Sequence, residues 1–136
     1  MDSYELYTSI KFSSSKPHDF MIQLNRTLNL NEHSTLEVLA WSYDSQKKKA
    51  RSPFYLFTDI VQNSFFFGSE QSVIGMIKPS FRKSEHYYVS NPIKVRTTTG
   101  TVNRFRVYIR DEKYSDSSVD ITSLTLTLRF NNVSLK

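Results

Sequence analysis

His18, His33 and His86 are the only histidines in the 136-residue chain, and a general base or a metal centre would have to draw on them. Imidazole suits both tasks because it titrates near neutrality and offers a lone pair to a metal ion. The three are far apart in the chain, and each falls in or beside an expected loop or edge. No His-x-His or His-Glu-x-x-His spacing occurs. Asp111, Glu112, Asp116 and Asp120 carry the oxygen ligands that calcium prefers, but their spacing fits no EF-hand and Lys113 interrupts it. A polar connection between two strands is the plainer reading of that segment. No serine stands in a Gly-x-Ser-x-Gly elbow, and Gly68, Gly75 and Gly100 are too scattered for a phosphate-cradling loop. The expectation is therefore a protein that is not an enzyme, with no cofactor, no metal and no small-molecule substrate.

Chemistry of recognition is better represented. Arg104, Arg106, Tyr108 and Arg110 alternate with Phe105, Val107 and Ile109. Side chains on a strand point to opposite faces in turn, so this run predicts one apolar face and one face of cations and an aromatic ring. Such a face suits contact with a neighbouring protein. Phe65, Phe66 and Phe67 are consecutive, and three aromatics in a row cannot all enter one core on a period of two. At least one is expected to project outward as a partner contact. Lys47, Lys48, Lys49 and Arg51 form the densest basic cluster and read as a loop at one end of the fold.

The elements that would hold these residues are strands. In Ser123–Phe130, Leu124, Leu126, Leu128 and Phe130 alternate with Ser123, Thr125, Thr127 and Arg129, a spacing that would smear the leucines around a helix. Further strands are expected near Glu5–Phe12, Asp19–Leu24, Thr35–Tyr43, Phe54–Val61, Ser72–Ile77, His86–Val89, Ile93–Thr97, Arg104–Arg110 and Ile121–Phe130. The breaks carry turn chemistry, among them Asn29-Leu30-Asn31-Glu32, Gly68-Ser69 and Thr99-Gly100. Ser34 with Glu37 imitates a helical capping box, but Thr35, Val38, Trp41 and Tyr43 are strand formers. About eight strands at such spacing predict an all-β fold, a sandwich or barrel, with the jelly roll a strong candidate. The immunoglobulin cysteine–tryptophan–cysteine pattern is absent.

Composition sets the bounds. Residues 1–136 are expected to form a single domain, with residues 1–18 as an N-terminal segment that need be only partly ordered. The chain has no cysteine, so neither disulfides nor thiolate metal sites contribute. A formal net charge of +5 favours anionic neighbours weakly. No apolar stretch approaches the length of a membrane helix, so no membrane insertion is expected. Met1-Asp2-Ser3-Tyr4-Glu5 lacks the basic start and apolar block of a secretory signal, so synthesis is expected inside the cell.

Several segments together resemble a known family. Asp19–Leu30 is similar to its opening Phe-x-x-x-Leu pattern, and Leu36–Tyr43 to a Trp-Glu-Val-Ala-Leu strand with the tryptophan displaced. Phe54-Tyr55-Leu56-Phe57-Thr58-Asp59-Ile60-Val61 resembles its Tyr-x-Tyr-x-Asp-Ile-Val strand. Gly68-Ser69-Glu70 and Val73–Pro79 look like the loop and apolar strand that follow, and Phe105–Asp111 with Leu124–Phe130 like the closing pair. Asn25 stands where proline is common, and Ser69-Glu70 where Gly-Asp is expected. The family is the small single-jelly-roll penton, or minor capsid, protein of Polinton (Maverick)-type elements and adintovirus-like viruses. The resemblance implies a single jelly-roll β-sandwich of two antiparallel sheets and self-assembly into pentamers at icosahedral capsid vertices. It also implies a double jelly-roll major capsid protein as partner and a place in the virion. Arg104, Arg106, Tyr108 and Arg110 would then meet a neighbouring subunit or capsomer.

Two other readings compete. One is a lectin-like or attachment module. The other is a single-stranded nucleic-acid binder, drawn from Tyr87-Tyr88, the three phenylalanines and the arginine face, without sequence specificity.

Overall fold

Period-two alternation becomes strand pairing almost everywhere the sequence carries it. The computed structural model describes residues 8–45, 53–62, 64–66, 69–78, 84–111 and 121–135. In chain order the strands are β1 (Thr8–Ser14), β2 (Asp19–Leu30), β3 (Thr35–Asp44), β4 (Phe54–Thr58), β5 (Ser64–Phe66) and β6 (Ser69–Gln71). They continue with β7 (Val73–Ile77), β8 (Ser84–Tyr88), β9 (Val95–Arg96), β10 (Gly100–Arg110), β11 (Ser123–Asn131) and β12 (Ser134–Leu135). No helix occurs among the described residues.

One sheet runs β1-β11-β3-β8, with β9 also on β3, and the other runs β12-β2-β10-β4-β7. Every pairing is antiparallel. With the short elements set aside, β1 pairs with β11, β2 with β10, β3 with β8 and β4 with β7. The chain is thus nested outermost with outermost, like one long hairpin wrapped around a barrel. That wrapping is the β-sandwich of a single jelly roll.

Between the sheets lies one core. Leu124, Leu126, Leu128 and Phe130 of β11 face inward from one sheet, and Phe105, Val107 and Ile109 of β10 from the other, all wholly buried. Aromatic edges join the two layers. Phe105 meets Phe130 edge-on, with centroids 5.9 Å apart and planes at 85°. Tyr43 of β3 meets Phe54 of β4 in the same manner, at 6.4 Å and 81°. Each such pair adds about 0.5–1.5 kcal/mol beyond the area it buries.

The structure alters several expected boundaries. β2 does not stop at Leu24 but continues to Leu30, keeping Leu28 and Leu30 on the inward parity of Ile22 and Leu24, while a register shift between Val102 and Arg104 moves the inward parity of β10 from Val102 to Phe105. A bulge resets the inward face, which a strict reading of alternation cannot anticipate. β4 ends at Thr58, short of the expected Val61, and Val61 forms an isolated bridge to Thr97. The stretch expected as strand from Ile93 to Thr97 reduces to Val95–Arg96, because Asn91-Pro92 carries the chain away from β3. Between Val61 and Ser72, where no strand is expected, β5 pairs with β6, so Ser69 is a strand residue. Gly100 opens β10 rather than ending a turn; its φ of +126° is open to glycine and strained for other residues.

The reversal expected at Asn31–Glu32 is built from side chains. Asn31 Oδ1 accepts the His33 N–H at 2.8 Å, and Ser34 Oγ accepts the Asn31 N–H at 2.9 Å. Ser34 Oγ in turn donates to the Asn132 carbonyl at 2.8 Å, tying this turn to the one after β11. Ser34 therefore closes a turn instead of capping a helix, and Thr35–Asp44 is strand.

Replacing Phe130 with alanine empties a site between the sheets and is expected to cost about 3–5 kcal/mol. Thr127→Ala, on the outer face of the same strand, is expected to change stability by less than about 1 kcal/mol. Urea unfolding of both variants, with the slope unchanged, checks the pair.

Candidate partner-contact surface

Outward from β10 stand Arg104, Arg106, Tyr108 and Arg110, and β4 runs alongside with Phe57 opposite Tyr108 and Tyr55 opposite Arg110. The Phe57 and Tyr108 rings stack with centroids 5.2 Å apart and planes 12° from parallel. Although they lie on the outer side of the sheet, Phe57 is 0% exposed and Tyr108 only 8%. Tyr55 and Val73 pack against them. A second, small apolar cluster therefore sits on the back of this sheet, separate from the core.

The two arginines close over it. Arg106 Cζ lies 4.2 Å from the Tyr108 ring centroid and Arg110 Cζ 4.9 Å, both in cation–π range. Asp19, opposite Tyr108 in the β2 register, accepts a two-pronged hydrogen bond from Arg106, with Nε at 2.7 Å and Nη2 on the other oxygen. Arg110 Nη2 is 3.9 Å from the same carboxylate, and its Nη1 donates to the His18 carbonyl at 2.9 Å and the Ile109 carbonyl at 2.6 Å. Asp59 accepts the Arg106 backbone N–H at 3.0 Å. The Arg106 hydrogen bond, aided by the charges of both arginines, holds the Asp19 carboxyl below its ordinary value of 3.8. With both side chains more than two-fifths exposed, solvent screening limits this ion pair to about 1 kcal/mol.

The structure thus brings Arg106, Tyr108 and Arg110 together and turns them toward one another, while Arg104 stands exposed opposite Gln23. The face expected from alternation alone carried Tyr108 as an outward contact; its ring is instead nearly covered. Two members of the arrangement escaped sequence reasoning. Phe57 had a signal, since Phe54-Tyr55-Leu56-Phe57 is apolar without alternation, the pattern of a strand covered on both faces. Asp19 had none, because its partner lies 87 residues away.

The remaining predicted residues are placed as follows. Phe65 and Phe66 belong to β5, opposite Glu70 and Ser69 of β6. Phe67 and the basic cluster Lys47, Lys48, Lys49 and Arg51 lie outside the described residues, as do Glu112, Asp116 and Asp120. His18 precedes β2, His33 sits in the turn after it with Nε2 3.4 Å from Glu32, and His86 is on β8. Among the described residues no three His, Asp or Glu side chains gather closely enough to hold a metal ion.

The opposite sheet carries a second polar cluster that the sequence reading missed. Glu37 on β3 is 3% exposed, and its Oε1 accepts from Asn131 Nδ2 at 2.8 Å and Arg129 Nε at 3.1 Å. Burial pushes the Glu37 carboxyl up, but the hydrogen bonds from Asn131 and Arg129 outweigh it and leave the carboxyl below its ordinary value of 4.5. Asp44 at the far end of β3 accepts from Ser84 Oγ at 2.6 Å and Ser123 Oγ at 2.7 Å, pinning β8 and β11 to β3; those hydroxyls also lower its carboxyl.

A comparison with known proteins adds no relative: no protein-family model matches the chain, and no curated protein matches it.

Asp19 and Glu37 release their protons more readily in the folded than in the unfolded chain. Their contributions are therefore full above the ordinary carboxylate values and are lost as pH falls through the lower folded ones. Unfolding free energy measured from pH 7 down to pH 3 is expected to decline at the acid end. In an Asp19→Asn/Glu37→Gln double variant that decline is expected to be shallower, with a loss of about 1–2 kcal/mol at pH 7. An unchanged acid limb would contradict both assignments.

Proposed function

We propose that this chain is a structural protein of a viral capsid, a penton-type minor capsid subunit that assembles into pentamers at icosahedral vertices beside a double jelly-roll major capsid protein. The observation that carries the reading is the strand order, β1-β11-β3-β8 against β2-β10-β4-β7. A fold by itself hosts many functions, so the order counts because of where the family-like segments fall within it. The Leu36–Tyr43 segment lies inside β3, and the Phe54–Val61 segment spans β4 and the bridge to Thr97. The closing pair lies on β10 and β11.

A ring of identical subunits places one flank of each copy against a different flank of the next, and such a contact closes when the rotation is fivefold. The arginine–tyrosine cluster is suited to that use as a rigid patch. Its cations are already oriented by Asp19 and Tyr108, so little side-chain entropy is left to lose on contact. Arg104 extends the patch as an exposed donor.

Native mass spectrometry and sedimentation of the purified chain at about tens of micromolar test the reading, since a permanent interface of the usual size holds at such concentrations. A discrete five-chain species with fivefold symmetry in images is expected. A strictly monomeric protein, or a closed dimer, would overturn the stand-alone pentamer.

A further inference from the structure

The outer face of the β1-β11-β3-β8 sheet is assigned residue by residue through its register. Ser13, Thr125, Ser42 and His86 form one row across it, and Lys11, Thr127, Ala40 and Tyr88 the next. Arg129 and Glu37 share the following row, with Lys94 near enough to act on the Glu37 charge, and Asn131, Thr35 and Arg96 form the last. The floor is hydroxyl-rich, with Ser13 Oγ and Thr125 Oγ1 2.7 Å apart. Lys11, Lys94 and Arg96 are exposed, and among the described residues none of them is in an ion pair. Both carboxylates of the face are already occupied: Glu37 by Asn131 and Arg129, and Asp44, at the far end, by two serine hydroxyls. At the edge stands Tyr88, 74% exposed, with the exposed His86 ring meeting it edge-on at 4.6 Å.

We infer that this face binds single-stranded nucleic acid, with Lys11, Lys94 and Arg96 against the phosphates and Tyr88, braced by His86, stacking on a base. The combination of cations spaced over a sheet face and a protruding ring at its margin is what sequence-tolerant strand binding requires: charge to track the backbone, an aromatic plane to hold the bases. Hydroxyls of the floor supply donors to phosphate oxygens. The arginine face of the other sheet is less suited, because Tyr108 is nearly buried and its arginines already serve Asp19 and the ring. The inference does not rest on the capsid reading, although a genome-facing sheet is compatible with it.

The test is fluorescence anisotropy of the full chain with a labelled oligothymidine, over a salt series. About three phosphate contacts predict a salt slope near −2, hence roughly a tenfold loss of affinity between low and moderate salt. The variant Lys11→Gln/Lys94→Gln/Arg96→Gln is expected to abolish most of that slope, and Tyr88→Ala to weaken binding by at least about fivefold. Arg26→Gln/Lys78→Gln, exposed cations off this face, is expected to bind like the parent. Circular dichroism confirms that each variant is folded, and native mass spectrometry reads assembly separately, so loss of strand binding and loss of the pentamer are told apart. Absence of salt-dependent binding, equal loss in the two cation variants, or binding to anionic vesicles that matches the oligonucleotide and ignores Tyr88 would each overturn the proposal.

Discussion

Everything else in this molecule depends on the strict inward register of two strands that belong to different sheets. β11 sends Leu124, Leu126, Leu128 and Phe130 into the core, and β10 sends Phe105, Val107 and Ile109 to meet them. Phe105 and Phe130 make the crossing point. Because the side-chain period is two, a one-residue slip of either strand would bring threonines or arginines inside and expose leucines. That penalty runs the length of both strands, which is why each can hold its neighbours in place. β11 anchors β1 and β3, and β10 anchors β2 and β4. Polar side chains at the sheet ends, Asp44 with Ser84 and Ser123, and Asn132 with Ser34 and Asn31, secure the margins that apolar packing leaves open.

With both inner faces committed to one core, recognition falls to the outer faces, and the two differ in kind. One covers Phe57 and Tyr108 with arginines held by Asp19, which produces an ordered but largely self-satisfied patch. The other sinks its central carboxylate into bonds with Asn131 and Arg129 and leaves lysines, Arg96 and Tyr88 standing from a hydroxyl floor. The distinction is electrostatic as much as geometric. A cation that already has a carboxylate and a ring gains little from a new anion, whereas an exposed lysine beside a neutralised carboxylate loses little solvation and gains a partner.

What the sequence made legible follows from which interactions are local. Alternation in Arg104–Arg110 and Ser123–Phe130 correctly separates core from surface, and β-branched and aromatic residues outweigh the capping-box imitation at Ser34 and Glu37. The jelly-roll class was legible from strand number and turn chemistry together with family resemblance. The extension of β2 was not, because exposed Asn25 and Arg26 interrupt its apolar positions, at the stretch where its register with β10 shifts. Nor was the burial of Tyr108, which needs Phe57 from a strand about fifty residues earlier. Asp19 and Glu37 looked like ordinary surface carboxylates, since partners 87 and 94 residues away leave no trace in local spacing.

A basic arm is one way for a structural subunit to hold an anionic strand; a sheet face is another, with different physical consequences. A flexible arm loses conformational entropy on each contact, so its affinity per charge is low and its reach long. Cations fixed by strand register lose much less, but their spacing is set by the sheet. Neighbouring strands lie about 4.8 Å apart and alternate residues along one strand about 7 Å, close to the rise between phosphates in an extended single strand. Lys94 and Arg96 flank Val95 two residues apart, and Lys11 lies three strands over from Tyr88 in a single row. A rigid face of this pitch favours an unpaired, extended strand over a duplex, whose phosphates wind away from any flat surface. The same alternation that seals the core therefore sets the spacing of the charges outside it.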